Sequence, residues 1–243
     1  MTLLAKKKKQ PSDLGRIYVE PSILAADFGN LADEVKRVEA AGADGIHVDI
    51  MDGHFVPNLS LGPRVLAAIR RATDLFLDVH IMVYHPFDYI ERLIESGADQ
   101  ITFHLEATED VEETLSYIRR CNKKAGLAFC PDTSESLIPR YLDKCDKILI
   151  MTVHPGFGGQ AFIDKMLQKI SFTRSICDQL GIREGGVVDA SLPPFAIQVD
   201  GGVDNRTAPL CIQAGANHLV AGTYLFNQGG MEEKVKLLRG DKS

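Results

Sequence analysis

The chain has 243 residues, 45% of them hydrophobic and 25% charged, with a formal net charge of −6. That length suits a single α/β barrel, and the acidic balance argues against a nucleic-acid binder, which carries a basic face. No apolar run reaches membrane-spanning length and the start lacks a secretory apolar core, so no membrane association is expected and the expected location is cytoplasmic.

Residues 1–14 read as a flexible tail, and the run Lys6–Lys9 within them reads as a solvated patch. From residue 15 to 243, strand and helix signals alternate. A first strand runs from Ile17 to Leu24 and presents Ser22 near its end. Asp27-Phe28-Gly29-Asn30 turns the chain into a helix over Leu31–Ala41, which Gly42 stops. The second strand is Gly45–Gly53, where Ile46, Val48 and Ile50 alternate with His47, Asp49 and Met51. A helix over Arg64–Ala72 leads to a third strand, Phe76–Val83, with Asp78, His80 and Met82 on one face. A helix over Asp88–Glu95 stops at Gly97, and the fourth strand is Gln100–Leu105. A long helix is expected over Glu109–Lys124, with Gly126 after it, then a fifth strand over Leu127–Cys130 and a short helix over Glu135–Leu142. Lys147–Val153 is an apolar sixth strand. A helix over Lys165–Leu180 stops at Gly181, the seventh strand is Phe195–Val199, and a helix over Thr207–Ala214 stops at Gly215. His218–Ala221 is the eighth strand and Glu232–Leu238 the last helix.

Eight strands, each followed by a helix, fit a closed (β/α)8 barrel or a large open parallel sheet. The absence of Gly-x-Gly-x-x-Gly after an early strand argues against a dinucleotide site. Ala41–Asp44 (AGAD), Ser96–Asp99 (SGAD) and Ala214–Asn217 (AGAN) repeat one helix-to-strand junction, which favours the barrel. The five cysteines are widely spaced with no C-x-x-C, the pattern of reduced thiols. Arg183–Pro194 breaks the rhythm as a long loop at the end of the barrel away from the strand C-termini. A partner contact and a tolerated insertion both fit it.

Barrel active sites lie at the C-terminal ends of the strands. Collected there are Ser22, His47, Asp49, His80 and Asp200. A His and an Asp facing the same way inside a covered sheet are costly unless paired or metal-bound. Two imidazoles and two carboxylates suit one divalent ion: zinc, iron(II), manganese or cobalt. Glycines gather after strands six to eight, in Pro155–Gln160, Asp200–Gly202 and Ala221–Thr223. Tight turns explain any one pair; three such loops together suit an anion held by backbone N–H groups, and a sugar phosphate fits better than a nucleotide. Asp49 and Asp200, on well-separated strands, could work on opposite faces of a substrate, one taking a proton α to a carbonyl and the other returning one, while a metal stabilises the enediolate. A two-faced pair points to an epimerase.

The stretches Pro21–Asp27, His47–Gly53, Phe55–Asn58, Asp78–Met82, Met151–Val153, Pro155–Gln160 and Val199–Gly202 resemble the D-ribulose-5-phosphate 3-epimerase family. The likeness spans about Ile17 to Leu238. It implies metal-dependent interconversion of D-ribulose 5-phosphate and D-xylulose 5-phosphate; a 3-epimerase of a related phosphoketose such as allulose 6-phosphate is the alternative. It implies that His47, Asp49, His80 and Asp200 hold the metal and that Asp49 and Asp200 are the acid/base pair. Ser22 and His80 are then substrate contacts, and Met51 and Met82 cap the reacting centre. Phosphate would be bound by Gly156, Phe157, Gly158, Gly159, Gly201, Gly202, Gly222 and Thr223. The resemblance also implies self-association. Thr223 stands where the family usually has Ser, and His154 where Glu or Asn is common. A phosphosugar-binding barrel without catalysis and a metal hydrolase are the readings from other classes.

Overall fold

The structure is a computed structural model and describes residues 15–227 and 229–241. The expected tail, with Lys6–Lys9, lies outside the described residues. Eight parallel strands form the barrel: β1 (Tyr18–Pro21), β2 (Gly45–Met51), β3 (Phe76–Met82), β4 (Gln100–His104), β5 (Lys124–Phe129), β6 (Lys147–Met151), β7 (Ala196–Asp200) and β8 (His218–Ala221). Their order around the sheet is β1-β8-β7-β6-β5-β4-β3-β2. A bridge between Ser22 and His47 joins the two ends, so the barrel is nearly closed.

Between strands lie α1 (Leu31–Ala40), α2 (Pro63–Ala72), α3 (Ile90–Glu95), α4 (Val111–Arg120), α5 (Met166–Leu180) and α6 (Thr207–Ala214), and α7 (Thr223–Phe226) and α8 (Met231–Arg239) follow β8. One alternate set of strand residues, including Val48, Ile50, Val79, Ile81, Ile148 and Ile150, packs in the same core as helix residues such as Val35, Leu66 and Leu115. Alternation sends the other set into the barrel. That inner set is polar: Glu20, His47, Asp49, Asp78, His80, Thr102, His104, Lys147 and Gln198 are all buried. Register places His47 beside Asp78, Asp49 beside His80 and Met51 beside Met82.

The repeated junction has a physical basis. Asp44 Oδ2 accepts from the Val19 N–H at 2.8 Å, Asp99 Oδ2 from Leu77 N–H at 2.9 Å and Asn217 Oδ1 from Ile197 N–H at 2.8 Å. Asp146 does the same for Ala125 N–H at 2.8 Å, although no Gly-Ala precedes it. Each side chain therefore ties the start of one strand to its sequence predecessor.

Several expected boundaries differ. The helix expected over Glu109–Lys124 is only Val111–Arg120, and β5 begins at Lys124. Asn122, at φ 58°, turns the chain just past the helix end. Gly126 instead lies inside β5, where a Cβ would press on Thr102, its Cβ only 3.0 Å away. The segment Glu135–Tyr141 is a 3-10 helix, with Pro139 inside it. Helix α7, beginning directly after Gly222, was not expected. The Arg183–Pro194 loop carries a small hairpin, Ile182–Arg183 against Val187–Val188. It sits by the strand N-termini, where Arg119 Nη2 donates to Gly185 O at 3.1 Å and Glu184 lies 3.7 Å from Lys124.

Candidate active site

Strands β2, β3 and β7 bring His47, Asp49, His80 and Asp200 together, with one ligand atom from each within 4.8 Å of all the others. Asp49 Oδ1 is 3.3 Å from His47 Nε2 and 3.2 Å from His80 Nδ1, and Asp200 Oδ2 is 3.7 Å from both nitrogens. His47 Nε2 is buried without a hydrogen-bond partner. Four donors around one point at bonds of about 2.1 Å lie about 3.4 Å apart when tetrahedral. The observed spacings match, so this donor set fits a borderline divalent cation. Ser22 adds a hydroxyl that donates to Asp49 Oδ2 at 2.6 Å.

Behind the cluster stands a second layer of buried polar side chains. Asp78 Oδ2 accepts from His47 Nδ1 at 2.8 Å and from Gln198 Nε2 at 2.7 Å, and Asp78 Oδ1 accepts from Lys147 Nζ at 2.6 Å. Gln198 also donates to Glu20. Such an outer carboxylate fixes the imidazole tautomer that leaves Nε2 bare toward a metal. On the far side His80 Nε2 meets His104 Nε2 at 2.9 Å, and His104 Nδ1 lies 3.3 Å from Glu106 Oε2. Alternation puts Asp78 on the same face as His80, and the same rule could have flagged Gln198, two residues before Asp200.

The electrostatics split the two carboxylates. Burial and the neighbouring negative charge of Asp49 push Asp200 up to about 7. Burial acts the same way on Asp49, but His47 and His80 overcome it and hold that carboxyl well below the usual range. Burial lowers His47, yet Asp49 and Asp78 lift it well above an ordinary imidazole. Burial, aided by the charge of His104, takes His80 down to about 4 despite its bond to Asp49.

A cavity of about 690 Å³ opens over Asp49 and Asp200. Met51, Met82 and Met151 line it, the last beyond the expected two. Ser22 and the glycine loops line it as well: Gly156, Phe157, Gly158, Gly159, Gly201, Gly202, Gly222 and Thr223 all face the same space. Some of these glycines are required by packing. A Cβ on Gly202, at φ 65°, would lie 2.6 Å from Phe162 N. Gly158 has open space where its Cβ would stand, so packing does not demand it. His154 stays outside the cavity wall; its side chain is exposed and lies 3.7 Å from Asp132.

Comparison with known proteins fits this arrangement. The profile of the ribulose-phosphate 3 epimerase family matches residues 18–226. The chain belongs to that family. It is 50% identical over 236 residues to the ribulose-phosphate 3-epimerase of Chlamydia pneumoniae, covering 96% of this chain and 97% of that one. It is 44% identical over 226 residues to the ribulose-phosphate 3-epimerase of Bacillus subtilis, covering 93% and 100%. Among solved structures, KGPDC from Streptococcus mutans superposes with a TM-score of 0.65 at 12% identity, covering 93% of this chain and 97% of that one, which speaks to the barrel alone. The family match spans all eight strands, so every residue of the imidazole–carboxylate cluster lies inside it. No helix among the described residues is long and apolar enough to cross a membrane.

Proposed function

We propose that this ribulose-phosphate 3-epimerase interconverts D-ribulose 5-phosphate and D-xylulose 5-phosphate by two opposed proton transfers at C3. The observation that carries the reading is the pair Asp49 and Asp200, which come from β2 and β7, reach one cavity, and have acidities driven in opposite directions. In the chain alone Asp49 is the ionised partner, suited to take a proton, and Asp200 is the partner that carries one at pH below about 7. In the reverse direction the two exchange roles. The hydroxyl of Ser22 holds one Asp49 oxygen at 2.6 Å and leaves the other to the cluster. Met51, Met82 and Met151 wall the reacting carbon from water with polarisable thioethers. The glycine loops present backbone N–H groups to the phosphate, with Thr223 adding a hydroxyl. His47, Asp49, His80 and Asp200 would hold one divalent cation, zinc, iron(II), manganese or cobalt, whose positive charge offsets the charge that builds on the substrate oxygens. The reading also carries a cytoplasmic setting, which suits the free cysteines, and a self-associated state measurable by sedimentation.

The test follows deuterium from D₂O into both pentulose phosphates. The wild type should wash one deuteron into C3 with inversion. Asp49→Asn and Asp200→Asn should each lose about 10²–10⁴-fold in turnover. Asp200→Asn should exchange on one face without inverting. Full inversion by Asp200→Asn removes it from the pair, and a wild type active only on phosphohexuloses replaces the substrate.

A further inference from the structure

Strand β4 ends in a side chain that the proton transfers do not use. His104 is fully buried, and Phe55 covers its ring at a centroid distance of 4.8 Å. Its Nε2 lies 2.9 Å from His80 Nε2. Two neutral imidazole nitrogens at that separation share one proton, so one donates and the other accepts. If His104 donates, a neutral His80 keeps its proton on Nδ1, and that N–H points at Asp49. If His80 donates, its Nδ1 is bare and free to bind a cation.

In the cation-free chain Asp49 Oδ1, 3.2 Å from His80 Nδ1, favours the first arrangement, and the outer side of His104 favours the second, which a cation at Nδ1 requires. A His104 that accepts at Nε2 carries its proton on Nδ1 and needs an acceptor there. Glu106 Oε2 is 3.3 Å from that nitrogen and Cys130 Sγ 3.4 Å. The carboxylate cannot turn freely, because Glu106 Oε1 accepts from Cys130 N–H at 2.9 Å and from the Thr133 hydroxyl. That loop is pinned in turn by Lys169 on α5, whose Nζ donates to the carbonyls of Cys130, Pro131 and Thr133 at 2.9, 3.0 and 2.6 Å.

We propose that Glu106 and His104 are positioning residues that support one chain of hydrogen bonds, Glu106 accepting from His104 and His104 from His80, so that His80 can offer a bare Nδ1 to a cation shared with Asp49 and Asp200. The inference rests on the reading of His80 as a cation ligand. It gives Glu106→Gln a definite consequence. The two donors at Oε1 require the amide oxygen of the glutamine at that position, which leaves the NH₂ facing His104 Nδ1. His104 must then accept at Nδ1 and donate at Nε2, and His80 must move its proton to Nδ1. A nearly isosteric change thus reverses the chain and blocks the ligand nitrogen.

The experiment records long-range ¹H–¹⁵N spectra of the histidine rings in cation-free and zinc-loaded protein, alongside competition for zinc with a chromophoric chelator. In the zinc-loaded wild type the expected protons sit on His80 Nε2 and His104 Nδ1. Glu106→Gln should show both reversed when cation-free and bind zinc about ten- to a hundredfold more weakly. A zinc-loaded wild-type His104 protonated on Nε2 overturns the proposal, and needs no variant to be seen. Wild-type tautomers and affinity in Glu106→Gln overturn it alone, while a wild type with no zinc affinity overturns the ligand reading beneath it.

Discussion

Asp78 does not line the cavity, yet three buried side chains share its carboxylate. Its carboxylate accepts from His47, Gln198 and Lys147, and Lys147 is buried with it. Removing one partner of a buried ion pair leaves the other charge uncompensated. Asp78→Asn should therefore destabilise the protein by about 3–5 kcal/mol, read by urea unfolding, and weaken cation binding about 10–100-fold, read by chelator competition. Unchanged affinity would detach Asp78 from the site. The glycines offer a second contrast of the same size. Gly158→Ala should leave stability within about 0.5 kcal/mol and raise KM, because the new methyl enters only the cavity. Gly202→Ala combines a left-handed backbone with a backbone clash, and should cost about 1–3 kcal/mol in the same unfolding assay. The innermost residues were readable because His47, Asp49 and His80 are polar groups at buried strand positions, where alternation fixes their side, and because Asp200 stands before two glycines at the C-terminal end of its strand. Of their support, only Asp78 was, from its place on the His80 face. Lys147 heads an apolar run and looks like the strand's exposed end, and its partner lies 69 positions away across the barrel.

At the level of strands and helices, the repeated Gly-Ala-Asp/Asn junction couples local conformation to sheet assembly. The glycines at 42, 97 and 215 have φ of 73°, 103° and 112° and end their helices, and the acid or amide two residues on ties the first N–H groups of the strand before. Asn217→Ala should leave the Ile197 N–H without its acceptor and cost about 1–3 kcal/mol, whereas Asn217→Asp keeps that acceptor, loses only the longer bond from Asn217 Nδ2 to Phe195 O at 3.2 Å, and should cost less; denaturant midpoints compare the two. Equal losses would mean that packing, not the hydrogen bond, matters there. The sequence pattern found every barrel strand because each is a short alternating or apolar segment lying between helical signals. It misjudged the entry to β5 because glycine has two uses. At Gly42 it turns the chain; at Gly126 it makes room for Thr102. The distinction lies in the neighbouring strand, which local pattern does not contain. Asp146 escaped notice for the converse reason: it does the junction's work without the junction's Gly-Ala.

For the whole molecule, the polar barrel interior makes stability and cation binding respond to pH together. Asp200 rises from its ordinary 3.8 to about 7 in the folded chain. A raised carboxyl stabilises the fold while it stays protonated, so this contribution is present below pH about 4 and lost as pH climbs through about 7. His47, lifted well above its ordinary 6.5, likewise favours the protonated folded chain. A cation needs both groups without their protons, and each proton displaced makes affinity grow about tenfold per pH unit until that group ionises by itself. His80, taken down to about 4, is neutral between pH 6 and 8 with or without a cation, so it cancels from the comparison. Asp49, held low, is ionised throughout the same window. The difference in thermal midpoint between cation-loaded and chelated protein should therefore widen from pH 6 to pH 8 at fixed free metal. A cation at 100 times its Kd adds about 2.7 kcal/mol, a displacement that scanning calorimetry resolves. A difference that stays level would mean that no proton leaves on binding, and would place the cation away from Asp200 and His47. A widening that persists in Asp200→Asn would assign the proton to His47 alone.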